Sequence, residues 1–190
     1  MDDTSEQDEH NLKAVLSTYW HAYGGWRAII FSPFFWISII LAIISTHFWL
    51  TQPWWDQVLS VMPNVLGFTL GGFAIFLGFG DEKFRELISG QDEGDNSASA
   101  YMEVSATFLH FVLIQLFALL AAIIAKAVSF DTPDCLKSIL GMLTWLRAPA
   151  DFLGYWLFLY GLCIIAASAL AIFRVSFWYD VFQTHNRKQK

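Results

Sequence analysis

Glu103, Thr107 and His110 fall at offsets of four and three along one apolar run, so a carboxylate, a hydroxyl and an imidazole share one helix face. Ionisable groups at membrane depth are costly unless they face a cavity or a partner. Two chemistries fit the trio. One is a water-accessible vestibule in which the carboxylate and imidazole bind or relay a cation. The other leaves Glu103 among lipid headgroups while Thr107 and His110 hydrogen-bond to a neighbouring helix. The same face continues through Ile114, Ala118, Ala121 and Ala125. Gln115 lies about 140° around the helix from His110 and is expected to bond across a helix interface. With Thr69 and Ser168 it supplies the hydrophilic groups of the midplane, which is sparse lining for a conducting path.

Small residues form a second pattern. Asn64, Gly67, Gly71, Ala74 and Gly78 recur at offsets of 3, 4, 3 and 4, one stripe along a whole apolar run. Lipid removes the hydrophobic drive between helices, so close van der Waals contact between small residues holds them together. Gly67 and Gly71 make a GxxxG, Gly72 is expected to widen the groove, and Asn64 offers a hydrogen bond across the interface. Gly154, Gly161 and Ser168 repeat the theme at intervals of seven, the spacing of a left-handed crossing seam. These eight positions are the expected helix-packing residues, and the spacing leaves open whether their partners lie in the same chain.

Enzymatic chemistry is not expected. GxSxG, HExxH and P-loop patterns are missing, no Asp lies within the apolar runs, and His10, His21, His47, His110 and His185 are scattered in depth. No catalytic residue, metal ligand set or cofactor is therefore assigned. Cys135, in a loop, and Cys163, inside the last run, lie at different depths and are expected to stay unpaired.

The elements that carry these residues are legible in the composition. The chain has 190 residues, 56% hydrophobic, with 11 Lys and Arg and 17 Asp and Glu. That apolar content exceeds the ~45–50% of soluble domains. It is gathered into four segments, Pro33 to Leu50, Gln57 to Phe79, Val104 to Phe130 and Phe152 to Phe173, each near the length that crosses a ~30 Å hydrocarbon core. The expected fold class is an all-α polytopic membrane protein with four transmembrane helices and an N-terminal amphipathic interfacial helix. A secreted domain or soluble enzyme is excluded, and a net charge of −6 argues against a nucleic-acid partner.

Leu12, Val15, Leu16, Tyr19 and Trp20 recur at helical offsets over Asn11 to Tyr23, the mark of a helix lying on the inner membrane surface. Gly24 and Gly25 end it. Ser32 and Pro33 then read as N-cap and first helical residue of the first span, or as a kink in a span that starts at Arg27. The acidic start, Asp2, Asp3, Glu6, Asp8 and Glu9, does not read as a cleavable signal. Gly80 to Ile88 is expected to prolong the second helix, and Ser89 to Ser99 reads as a flexible acidic linker. Asp151 is expected to open the last helix at its N-terminus, and Arg174 to close it at the inner interface, followed by the anchor Phe177, Trp178 and Tyr179.

Lys13, Arg27, Lys83, Arg85, Arg174, Arg187, Lys188 and Lys190 lie on the side of the termini, against Lys126, Lys137 and Arg147 on the other. By the positive-inside rule both termini are cytoplasmic. The regions are then 1–27, acidic N-terminus and interfacial helix; 28–79, spans 1 and 2; 80–102, a cytoplasmic acidic loop; 103–178, spans 3 and 4; and 179–190, a cytoplasmic tail. Expected partners are the lipid bilayer, further copies of the chain, and a cytosolic protein held through 80–102 and the N-terminus.

In size and span count the chain resembles small four-span inner-membrane proteins of bacteria encoded beside anti-phage defence genes, such as the membrane subunit of the Kiwa system. The stretch Pro63 to Phe84, whose Gly-rich run enters Gly80, Asp81, Glu82 and Lys83, is similar to segments of other bacterial membrane proteins. The resemblance carries no site residue onto this chain. It implies a multi-pass protein of the bacterial inner membrane, a homo-oligomeric sensor or pore-like effector working with a cytosolic partner. A scaffold that recruits a cytosolic protein, and a small transporter, are the alternative readings.

Overall fold

The structure, a computed structural model, describes residues 2–90, 98–129 and 144–188, with side chains over 11–90, 98–129 and 145–188. Among the described residues all regular elements are helices: α1 (Asp2–Tyr23), α2 (Gly25–Ile30), α3 (Pro33–Ile44), α4 (Thr46–Thr51), α5 (Trp54–Gly78), α6 (Glu82–Ile88), α7 (Ala100–Val128) and α8 (Thr144–Lys188). Three of them, α5, α7 and α8, are long and apolar enough to cross a membrane, which makes the chain a multi-pass membrane protein. They pack on one another, with α3 and α4 laid along α8 and the end of α1 against α7.

The first expected span is not one continuous helix. Its 12-residue part α3 rises only about 18 Å, less than a hydrocarbon core, and α4 follows after a break at Ser45. Ser32 stands at the N-cap with extended backbone and Pro33 opens α3, as the sequence predicts, but the Ser32 side chain makes no capping bond. Breaking a helix in an apolar setting strands backbone carbonyls, and indoles take them up. Trp36 Nε1 donates to the Ile30 carbonyl at the end of α2 at 2.8 Å, and Trp49 Nε1 to the Ala42 carbonyl in the last turn of α3 at 2.8 Å.

Other boundaries also differ. Gly24 at φ +90° and Gly25 at φ +60° end α1, a conformation that any side chain would strain. Residues 80–88 do not prolong α5. The chain turns at Gly80, where φ is +84° and a Cβ would stand 2.6 Å from the Phe84 ring, and Asp81 then caps a separate helix by accepting from the Phe84 N–H at 2.9 Å. Phe84 is buried against Phe79, Tyr179 and Phe182, which fastens α6 to α8. The polar tail is no loose segment, because α8 runs unbroken through it to Lys188, 45 residues or about 68 Å. Asp151 accordingly sits two turns inside α8, where its carboxylate accepts from Trp54 Nε1 at 3.0 Å and lies 3.7 Å from Arg147. Most of the expected linker Ser89 to Ser99, and Cys135, lie outside the described residues. Among the described residues Cys163 is half-buried and unpaired.

Two buried clusters fill the bundle. At the end away from the termini Trp54, Val58 and Met62 meet Ala118, Ala122, Tyr155 and Phe158. Toward the termini Phe76, Phe108, Phe111, Tyr160 and Ile164 pack with Phe84, Val104 and Val175. A polar pair also lies in the interior, where Gln115 Nε2 donates to Thr69 Oγ1 at 2.9 Å and the Thr69 hydroxyl donates to the Val65 carbonyl at 3.0 Å. Gln115 Oε1 is buried without a partner. An orphaned acceptor in a dry interior costs about 1–3 kcal/mol. Replacing Gln115 with the similarly shaped Met leaves the Thr69 donor satisfied, so Gln115→Met is expected to raise the thermal midpoint in detergent, and a lower midpoint would contradict this account.

Candidate functional site

The end of the bundle that carries both termini holds the densest polar chemistry. It is built where the last turns of α1 meet the first turns of α7 and the middle of α8, from Tyr160 to Arg174. Tyr19 and Tyr23, four residues apart on α1, share a face that reaches between the other two helices. Tyr19 Oη is hydrogen-bonded to His110 Nδ1 at 2.9 Å, and Tyr160 Oη of α8 to His110 Nε2 at 3.3 Å. The Tyr23 ring stacks on the imidazole, centroids 4.1 Å apart and planes 20° from parallel. His110 is thus a buried junction of three helices, both ring nitrogens occupied. A neutral imidazole has one donor and one acceptor, so one tyrosine donates and the other accepts, whichever tautomer is present. On α1, outside the spanning helices, burial first and the neighbouring Tyr160 second push the Tyr19 and Tyr23 phenols up, so both remain protonated partners.

Beyond Tyr23 the structure opens into two adjoining hollows of about 440 and 430 Å³. His21, Ala22 and Ala98 line both. The first adds Ser17, Thr18, Ser99 and Met102, and the second adds Tyr23, Gly24, Glu103, Thr107 and Arg174. The trio predicted from spacing is therefore split. Glu103 and Thr107 line the cleft, whereas His110 lies beneath it with Tyr23 between. Thr107 Oγ1 donates to the Glu103 carbonyl at 2.8 Å, which leaves its oxygen free to accept. The Arg174 guanidinium lies 5.1 Å over the Trp178 ring, and it does not pair with Glu103 although both line the same hollow.

Removing the Tyr19 hydroxyl leaves a buried imidazole nitrogen without its partner. That change is expected to weaken the docking of α1 by about 1–3 kcal/mol. Hydrogen exchange of Tyr19→Phe is therefore expected to rise in residues 11–23 with α5, α7 and α8 unchanged, and equal protection of α1 would show that the bond holds nothing in place.

The two small-residue patterns have opposite fates. On α8, Gly154 and Gly161 face inward: a Cβ at Gly154 would stand 2.3 Å from the Trp54 ring, and one at Gly161 2.9 Å from the Met62 methyl. Ser168 is buried and donates to the Ile165 carbonyl at 2.7 Å. On α5 the whole stripe Asn64, Gly67, Gly71, Ala74 and Gly78 is exposed. A Cβ at Gly67, Gly71 or Gly78 would meet no atom within 4 Å, and the Asn64 amide reaches only the Ser60 carbonyl of its own helix, at 3.4 Å. Gly72 does not widen that groove, since it turns inward toward Ile172 and Phe108.

Sequence reasoning did not find Tyr19, Tyr23 and Tyr160 as partners of His110, nor His21 and Arg174 as cleft residues. The available signal was the pair of tyrosines one helical turn apart, followed by the glycines that stop α1 beside α7. Among the described residues no three His, Cys, Asp or Glu side chains come together as a metal site. No protein-family model, curated protein or solved structure matches the chain.

Proposed function

We propose that the chain is a homo-oligomeric membrane sensor that assembles through the exposed stripe of α5, with its termini, cleft and α6 on the cytoplasmic side of a bacterial inner membrane. The supporting observation is the contrast between the two glycine patterns. The α8 seam is filled by the chain's own Trp54 and Met62, whereas the α5 stripe presents bare backbone and a primary amide outward, the amide bonded only within its own helix. Small-residue surfaces of this kind bring two helices together in lipid. In this reading α2, α3 and α4 together make a fourth, interrupted crossing, and α1 lies at the inner interface with Leu12, Val15 and Leu16 toward lipid, where they are exposed. The excess of Lys and Arg beside the termini sets the orientation.

Sensing is favoured over conduction because Thr69, Gln115 and Ser168 are all turned into the protomer's own interior. The face left for assembly is apolar apart from Ser60 and Asn64, a poor lining for ions. Native mass in a mild detergent, repeated over a dilution series, tests the reading. A discrete assembly that survives dilution is the expected result, and a monomer at every concentration would overturn it. A scaffold reading has its own support in the helical arm of α8 beyond Arg174, on which α6 is docked through Phe84. It requires a cytosolic protein to be lost when residues 89–99 are deleted.

A further inference from the structure

We infer that the cleft between α1, the start of α7 and α8 binds the zwitterionic headgroup of a membrane phospholipid, its phosphate on Arg174 and its primary ammonium on Glu103. This inference stands on the cleft alone and does not depend on oligomerisation.

The lining selects the ligand. A hollow of about 430 Å³ lies within the ~300–1,000 Å³ of small-molecule sites. Its lining carries the His21 imidazole and the Tyr23 phenol together with one carboxylate and one guanidinium, Glu103 and Arg174, that do not neutralise each other. A simple anion gains from Arg174 but is repelled by Glu103, and a metal ion meets one carboxylate and one imidazole, Glu103 and His21, fewer than the three such groups of a metal site, beside the opposing charge of Arg174. A ligand that carries both signs answers both. Guanidinium is suited to the planar pair of phosphate oxygens. An ammonium has three N–H donors, for which the Glu103 carboxylate and the Thr107 hydroxyl oxygen are acceptors.

The surroundings select a lipid as the carrier of that group. Arg174 follows directly on the apolar run of α8, and its neighbours Phe173 and Phe177 are exposed large hydrophobics. Met102, on the lining of the adjoining hollow, and Leu12, Val15 and Leu16 of α1 are exposed as well. A headgroup seated in the cleft therefore has apolar surface beside it along which acyl chains lie. The indole under Arg174 holds the guanidinium at the level where aromatic side chains collect in membrane proteins.

The test uses the full chain, delipidated in detergent, with binding read by native mass spectrometry. The probes are short-chain phosphatidylethanolamine, short-chain phosphatidylglycerol and free O-phosphoethanolamine. The wild type is expected to hold the ethanolamine lipid about tenfold more tightly than the glycerol lipid, the worth of one charge-assisted contact. Glu103→Gln is expected to erase that preference while phosphate binding persists. Arg174→Gln is expected to weaken both lipids about tenfold or more, and Arg174→Lys to recover part of the loss. Both side chains are exposed, so neither change disturbs the packed interior. Equal binding of the two lipids by the wild type, or a preference unchanged in both Gln variants, would overturn the assignment. Free O-phosphoethanolamine binding as tightly as the lipid would overturn the membrane as its source and assign the cleft to a soluble phosphate–ammonium compound.

Discussion

Gly71→Leu is expected to turn an assembled protein into a monomer without changing its helix content. Position 71 has open space where a side chain would grow, so the protomer accommodates leucine with no internal clash. The same branched side chain, raised from the middle of the α5 stripe, holds a second helix away from Gly67, Ala74 and Gly78 and removes the close contact on which association in lipid depends. A shift of at least about tenfold in the dilution midpoint of the native mass is expected, equivalent to about 1.4 kcal/mol. Far-UV circular dichroism should superimpose on the wild type. An unchanged assembly mass in Gly71→Leu would move the interface off this face. Asn64→Leu checks the polar end of the stripe, where loss of an interhelical bond is expected to have a smaller effect in the same direction.

Gly154→Ala is expected to have the opposite signature, loss of stability with no specific effect on the association surface. One added methyl would overlap the indole of Trp54, which is 1% exposed and cannot swing into solvent. Moving that ring also disturbs its bond to Asp151 and its edge contact with Tyr155. Overpacking in a close-packed interior costs about 1–3 kcal/mol, and a rigid ring against helix backbone belongs at the upper end. For a chain of this length about 3 kcal/mol is roughly 6–12 °C in thermal midpoint. Trp54→Leu is expected to relieve the clash, so the double variant should be less destabilised than the sum of the two singles. Strict additivity would show that Gly154 and Trp54 are not coupled as the geometry requires.

The long apolar runs were readable because lipid demands a minimum length. The runs Gln57 to Phe79 and Val104 to Phe130 correspond to α5, Trp54–Gly78, and α7, Ala100–Val128, and the last run lies wholly within α8. What hydropathy does not encode is continuity. Pro33 to Leu50 is as apolar as its neighbours, but its helix breaks at Ser45, where the freed carbonyls are met by Trp49 and, at the preceding break, Trp36. Hydropathy errs the other way after Phe173, where polarity rises while helical hydrogen bonding continues to Lys188.

The candidate site was half legible for a related reason. Offsets of three and four identify a face, but in a helix that is apolar all round they do not say which way it looks. The α5 and α8 glycine patterns are alike in spacing and opposite in direction. The junction at His110 joins Tyr19 and Tyr160, 91 and 50 residues away in the chain, and no local pattern announces such a meeting. Glu103 was identifiable as an interfacial carboxylate. Its place in one cleft with Arg174 follows only from the packing of α7 against α8.

The single helix from Thr144 to Lys188 makes the protein a lever. A rod with hydrogen-bonded backbone transmits torsion along its length, so a rotation imposed where Gly154 and Gly161 grip Trp54 and Met62 reappears at Tyr179 and Phe182. One residue's worth of slip along the seam turns the far end by about 100° and advances it about 1.5 Å. Because Phe84 rests on those two rings, α6 is carried with them. A displacement along the seam is thus converted by helix geometry into a reorientation of the surface that α6 and the end of α8 share.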